Sequence, residues 1–521
     1  LIIGIYWYHS TKEGNMKTRF ILDRDYKIGQ VDRRLFGSFI EHLGRAIYGG
    51  IYEPGHPEAD GRGFRRDVLA LVRELGVPVV RYPGGNFVCS FDWEDSVGPV
   101  EEWPRRLDLA WRTVEPNLFG LNEFMAWTKE AGTEAMMALN LGTRGVDAAR
   151  NLLEYCNHPG GSYWSDLRKS HGSREPHGIK LWCLGNEMDG PWQVGQKTAE
   201  EYGRLAGETA KAMRLFDPSL ELVACGSSFA AMPTFPDWEA TVLDRCYDQV
   251  DYLSLHSYYG NKADDLPEYL ADSIGMGEFI DSVASACDFV KAQKRSRKTM
   301  MLSFDEWNVW FHTNTDDRYA DPWRIGPPLL EEAYTFEDAL VVGCLLITLL
   351  KRANRVKIAC LAQLVNVIAP ISTTNGGSAW RQTIFYPFLH ASRYARGLSL
   401  DLRAERAPAY ESRRFGAVPY VDAAATVDEE AGEMAVFAVN RSSAEGADLE
   451  LRLGGYEGWA VVEGIELAGA HPKAANTATR PDSVLPRRLD DGARNDGGVL
   501  RARLAPLSWN VIRLTAPSGK G

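Results

Sequence analysis

Between residues 35 and 396, short and nearly continuous apolar runs alternate with stretches of helical periodicity. The runs are LFGSFIE (35–41), VPVVRYPGG (77–85), EAMMALNL (134–141), IKLWCLGNE (179–187), LELVACGSS (220–228), VDYLSLHSYYG (250–260), TMMLSFDEWN (299–308) and VKIACLAQLVN (356–366). A run without polar alternation suits a strand covered on both faces, as in a parallel sheet. Between the runs, GFRRDVLALVRELG (63–76) sets Phe64, Val68, Leu69, Leu71, Val72 and Leu75 on one face of a helix that stops at Gly76. TAEEYGRLAGETAKAMRLFDP (198–218) opens with Thr198 and Glu201, a capping-box spacing, and stops before Pro218. FEDALVVGCLLITLLKR (336–352) is apolar almost all round and predicts a buried helix. Eight strands alternating with helices predict a (β/α)8 TIM barrel over residues 31–396, enlarged by loop insertions.

After about residue 397 the texture changes. MAVFAVNR (434–441), ADLELRLGG (447–455), WAVVEGIELAG (459–469), VLRARL (499–504) and LSWNVIRL (507–514) alternate apolar and polar positions. That is antiparallel patterning with one wet face, and it predicts a C-terminal, jelly-roll-like β-sandwich over 397–515. The early segment TRFILDRDYKIGQV (18–31) has the same character, so residues 17–30 are assigned to the sandwich. The polar stretch 476–498 reads as loop. Residues 1–15 carry a short apolar run without a basic flank or a cleavage site; they read as an extension ahead of Met16, not a signal peptide.

Composition adds exclusions. The 521 residues include 58 Lys and Arg against 70 Asp and Glu, a formal charge of −12, which is poorly matched to nucleic-acid binding. No apolar stretch is long enough for a membrane span. The eight Cys are scattered singly, several inside apolar runs, so free core thiols in a reducing, cytoplasmic setting are expected. Without an HExxH motif or a close His pair, no metal is expected, and no phosphate loop or dinucleotide fingerprint suggests a cofactor.

In a TIM barrel the chemistry sits at the C-terminal ends of the strands. Those ends here carry Glu41, Arg81 with Asn86 beyond it, Asn186-Glu187, His256 with Tyr258, Asp305-Glu306, and Gln363. Two carboxylates facing each other across a polar cleft suit glycosidic cleavage, one protonating the leaving oxygen while the other attacks carbon or activates water. Trp307, Trp310, Tyr258 and Tyr259 could supply flat apolar faces for sugar rings. Strand alternation should turn Asp305 away from Glu306, which marks it as structural, and Asp189 reads as a turn former.

The motifs FGSFIEH (36–42), RYPGGNF (81–87), GNEMDGPWQ (185–193), HSYYG (256–260) and FDEWNVW (304–310) together resemble the α-L-arabinofuranosidases of glycoside hydrolase family 51, over nearly the whole chain. The resemblance implies Glu187 as general acid/base and Glu306 as nucleophile. It implies Glu41, Asn86, Asn186, Tyr258 and Gln363 as substrate contacts, with Arg81, His256 and Trp310 in support. It also implies a retaining, exo-acting enzyme releasing terminal α-L-arabinofuranosyl groups from arabinoxylan, arabinan and their oligosaccharides, without a cofactor. Self-association is implied as well, with hexamers common in the family. An endo-β-1,4-glucanase or β-xylosidase on the same barrel, or a silent sugar-binding protein, are the alternatives. A deep pocket closed by the 311–335 loop favours exo cleavage; an open groove favours endo.

Overall fold

A computed structural model describes residues 16–489 and 492–517. The expectation for residues 1–15 therefore lies outside the described residues. Eight parallel strands close a barrel: β1 (Gly37–Phe39), β2 (Val79–Tyr82), β3 (Glu134–Ala138), β4 (Leu181–Leu184), β5 (Glu221–Ala224), β6 (Tyr252–Tyr259), β7 (Met301–Val309) and β8 (Val356–Ala362). They follow one another around the barrel in chain order, with β8 pairing back onto β1. β2, β4 and β8 are almost wholly buried, because helices cover the outside while side chains fill the inside. The helix Ala199–Phe216 starts as its sequence dictates: the Thr198 hydroxyl accepts from Glu201 N, and the Glu201 carboxylate accepts from Thr198 N at 2.9 Å. Among the described residues no helix is long and apolar enough to cross a membrane. All eight cysteines are free and buried.

The second domain stacks two sheets. One holds Arg403–Arg406, Met16–Asp23, Ala447–Gly454, Val499–Leu504 and Ala493–Asp496. The other holds Lys27–Gln30, Leu398–Leu400, Val421–Asp428, Glu433–Asn440, Ser508–Thr515, Ala460–Leu467 and Arg487–Arg488. The chain's early segment thus contributes one strand to each sheet. Met16–Asp23 runs parallel to Ala447–Gly454, an exception in an otherwise antiparallel sandwich. The stretch 476–498, expected as loop, includes Arg487–Arg488 and Ala493–Asp496, edge strands whose charged residues carry no hydrophobic signal.

The expected wet face is absent from two central strands. In Glu433–Asn440, Met434, Val436 and Ala438 join the sandwich core, while Ala435, Phe437 and Val439 pack toward the barrel. Ser508–Thr515 divides likewise, with Ile512 and Leu514 inward and Trp509 and Val511 toward the barrel. The layer between the two cores is the helix Phe336–Leu350, every residue of which is buried. Its Gly343 lies under Trp509: a Cβ there would come within 2.6 Å of the indole. The domains therefore share one continuous apolar interface.

Candidate active site

The strand ends converge on a cavity of about 590 Å³ at the C-terminal mouth of the barrel. Glu41, Asn86, Glu187, Tyr258, Glu306, Trp310 and Gln363 line it. Arg81, Asn186 and His256 stand directly behind that lining, all buried. The structure thus brings together all ten residues singled out in the sequence.

Local backbone explains several placements. The chain leaves β4 through Gly185 (φ +103°) and Glu187 (φ +44°). A left-handed non-glycine residue is a costly conformation that persists where its surroundings fix it. Here Gly190 N donates to Glu187 O at 2.8 Å, closing the turn that holds the carboxylate over the cavity. On β7 the pairing slips against both neighbours. His256 pairs with Glu306 and Ser254 with Ser303, so β7 holds one extra residue between them, and the same occurs between Phe304 and Trp307 on the β8 side. Such a bulge re-aims side chains. Asp305 accordingly does not turn away: its Oδ1 lies 3.2 Å from His256 Nε2 and its Oδ2 lies 3.7 Å from Arg81 Nε. Trp307, expected in the cleft, is instead fully buried in the core.

The two principal glutamates occupy different electrical settings. Glu306 Oε1 accepts from Arg81 at 2.6 Å and its Oε2 accepts from the Tyr258 hydroxyl at 2.8 Å. Arg81 also donates to Asn186 Oδ1 at 2.7 Å, so one buried guanidinium fixes the β7 carboxylate and the β4 amide together. Glu187 is pushed upward, chiefly by burial and further by the charge of Glu306, against the hydrogen bonds of His256 (3.0 Å) and Trp192 (2.6 Å). Burial alone would lower His256, but the carboxylates of Glu306, Asp305 and Glu187 outweigh it and carry it up to about 10. It is therefore a cation at neutral pH. Burial would also raise Asp305, yet Arg81 and the His256 cation hold it below the usual carboxylate range.

Glu41 forms the opposite wall. Its Oε1 accepts from Phe87 N at 2.8 Å and from the Trp111 indole at 2.9 Å. Gln363 brackets it, accepting from Glu41 N at 3.0 Å and donating to its Oε2 at 3.3 Å. Burial raises Glu41 to about 8 despite these donors. Gly85 permits the approach, since a Cβ there would sit 2.6 Å from Glu41 Oε2. Asn86 Oδ1 accepts from Asn186 at 3.4 Å. Asp189, read from sequence as a turn former, accepts from Ser228 N at 3.1 Å and so ties the loop after β4 to the loop after β5.

Sequence reasoning did not find Trp111, Trp192 or Arg318, which also line the cavity. Each lies on a loop outside the strand ends. A weak signal existed for Trp192, five residues after Glu187 in the quoted motif; the other two had none. Among the described residues, Glu187, His256 and Glu306 form the set whose donor atoms approach one another within 4.8 Å, the spacing a metal would need. The two carboxylates of that set already accept hydrogen bonds from Arg81, Tyr258, Trp192 and His256.

A pocket at the C-terminal mouth of a (β/α)8 barrel, with two close carboxylates in unlike environments, is the site of a glycoside hydrolase. Comparison with known proteins narrows the class. Residues 71–281 match the model of the α-L-arabinofuranosidase 1 domain, and residues 305–508 that of the α-L-arabinofuranosidase C-terminal domain. An intracellular exo-α-(1→5)-L-arabinofuranosidase of Halalkalibacterium halodurans is 63% identical, over 95% of this chain and 98% of its own. An exo-α-(1→6)-L-arabinofuranosidase of Bifidobacterium longum is 47% identical, over 97% and 99%. The solved structure of a family 51 α-L-arabinofuranosidase from Bifidobacterium longum superposes with a TM-score of 0.92 at 45% identity, covering 96% of this chain and 100% of that one. The chain belongs to the α-L-arabinofuranosidases of glycoside hydrolase family 51.

Proposed function

We propose that this protein is a retaining, exo-acting α-L-arabinofuranosidase that removes terminal α-L-arabinofuranosyl groups from arabinan, arabinoxylan and their oligosaccharides. The observation that carries the mechanism is the pair of carboxylates at the pocket floor, with an oxygen of Glu187 and one of Glu306 no more than 4.8 Å apart. Retaining enzymes hold their carboxyl groups about 5–5.5 Å apart, whereas inverting ones need about 6.5–9.5 Å to admit a water. In the first step Glu306 attacks C1 and Glu187 gives its proton to the glycosidic oxygen, so the C1–O bond breaks as the C1–Oε bond forms. In the second, Glu187 takes a proton from water, which attacks C1 and releases Glu306. Arg81 and Tyr258 position Glu306 for the attack, and burial raises Glu187 in the direction that an acid for the leaving group needs.

Exo action is supported by the contribution of the 311–335 segment to the cavity wall. Glu41, Gln363 and Ile368 line it from the barrel, and Thr315, Arg318 and Leu330 of the 311–335 segment line it from outside the barrel strands. The name of the 63%-identical relative supports α-1,5 linkages, and its intracellular designation, with the eight free thiols, supports a cytoplasmic location. The test is hydrolysis of 4-nitrophenyl α-L-arabinofuranoside by the wild type, Glu306→Ala and Glu306→Gly with azide. Turnover by the wild type, its loss in Glu306→Ala, and a β-configured glycosyl azide from Glu306→Gly are expected. An inert wild type or a fully active Glu306→Ala would falsify the assignment.

A further inference from the structure

Two more concavities adjoin the catalytic pocket, each of about 500 Å³ and so comparable to it in size. The first runs along the segment after β7 and shares Trp310 and Thr315 with the pocket. The second lies between the loop after β6 and the hairpin that joins Ala409–Ser412 to Gly416–Pro419 in the sandwich domain. It shares Tyr258 and Trp310 with the pocket, and Lys262 with the first concavity. All three therefore meet at Trp310, and together they make a path from the pocket mouth across the rim to the second domain.

The chemistry of that path suits a neutral, hydroxyl-rich chain. Its walls carry Lys262, Arg413 and Arg414 against Asp265, Glu268 and Asp317, so cations and carboxylates balance. Most of these charges are already paired, Arg413 with Asp265 at 2.7 Å and Arg414 with Asp272 at 2.6 Å. Lys262 is exposed, and among the described residues its ammonium has no partner. Trp310 offers a flat, half-buried face at the junction, packed edge-on against Tyr258. An unpaired ammonium can donate to a sugar hydroxyl, and an indole face can pack on the C–H face of a sugar ring.

We propose that this path is a binding groove for the leaving chain. While the terminal arabinofuranose occupies the catalytic pocket, the following units of a neutral arabinan pass over Trp310 toward Lys262 and the sandwich hairpin. The inference rests on the arabinofuranosidase reading above, and it adds that chain length, not only the terminal residue, sets specificity.

The test compares kcat/KM for linear α-1,5-arabino-oligosaccharides of two to six units with that for 4-nitrophenyl α-L-arabinofuranoside, whose leaving group is too short to enter the groove. For the wild type the oligosaccharide value should rise about tenfold between two and five units, the equivalent of one good contact surface. Lys262→Ala and the groove-filling Ala263→Trp should flatten that rise and leave the aryl arabinofuranoside within about twofold of the wild type, since neither lines the catalytic pocket. A wild-type value that does not rise with length, or a rise that both variants retain, overturns the groove. Failure to cleave the aryl arabinofuranoside at all would instead overturn the activity on which the groove rests.

Discussion

Arg81 is the residue whose replacement tests the most of the site at once. Its guanidinium is 1% exposed and touches Glu306, Asn186 and Asp305 from three sides. Lysine at this position keeps the charge but has a single head group, so it can satisfy Glu306 or Asn186 and not both in the present geometry. One hydrogen bond to a charged group, worth about 1.5–3 kcal/mol, is then lost. At about 1.4 kcal/mol per decade, Arg81→Lys should lower kcat/KM by roughly tenfold to a hundredfold. Arg81→Met goes further, leaving Asp305 and Glu306 buried with only the His256 cation between them. Removing one partner of a buried ionic group costs about 3–5 kcal/mol, so this variant should lose that much stability along with its activity. Steady-state kinetics on an aryl arabinofuranoside and urea unfolding of the same samples measure both effects. A methionine variant as stable as the wild type, or a lysine variant with undiminished kcat/KM, would refute the claim that one guanidinium holds the two strands' functional groups in place.

Other outcomes follow from the same geometry. Trp192→Phe removes the donor that favours ionised Glu187, so the alkaline limb of the kcat/KM profile should move to higher pH; a shift to lower pH would contradict the assignment of Glu187 as the acid. Trp111→Phe takes a hydrogen bond from Glu41 and should raise KM more than it lowers kcat, as read from initial rates. Glu41, Asp108 and Glu239 are raised by burial to about 8, 7 and 7, from ordinary values of 4.5, 3.8 and 4.5. Groups raised on folding stabilise the fold fully only below their unfolded values and lose that contribution as pH rises through the folded ones. Stability should therefore fall between about pH 4.5 and pH 8, and Glu239→Gln should flatten the slope in urea titrations across that range. Gly343→Ala drives a methyl into Trp509 and should cost about 1–3 kcal/mol at the domain interface, visible in thermal unfolding.

The barrel was legible in the sequence because each strand is covered on both faces and so reads as an uninterrupted apolar run. The site was legible for a related reason. Once strands are placed, their last residues must point into the mouth, and Glu41, Glu187, His256, Glu306 and Gln363 all stand there. Tertiary geometry decided the rest. Period-two reasoning failed at Asp305 because a bulge in β7 adds a residue between the pairs that bracket it. It failed again at Glu433–Asn440, where a second buried face comes from a helix packed against the sheet, which no local pattern announces. Trp111 and Arg318 reach the pocket from loops that are distant in sequence, held together by the Arg318 bond to Ala110 O at 2.6 Å. The parallel pairing of Met16–Asp23 follows from the order in which strands join a sheet, which alternation along one strand does not encode.

The central claim is that Glu306 forms a bond to the sugar and Glu187 first gives and then takes a proton. Its most direct measurement is the anomeric configuration of the first product formed when the wild type cleaves 4-nitrophenyl α-L-arabinofuranoside in the presence of methanol, followed by proton NMR. Double displacement predicts methyl α-L-arabinofuranoside, with the configuration of the substrate retained. Methyl β-L-arabinofuranoside as the initial product would contradict it.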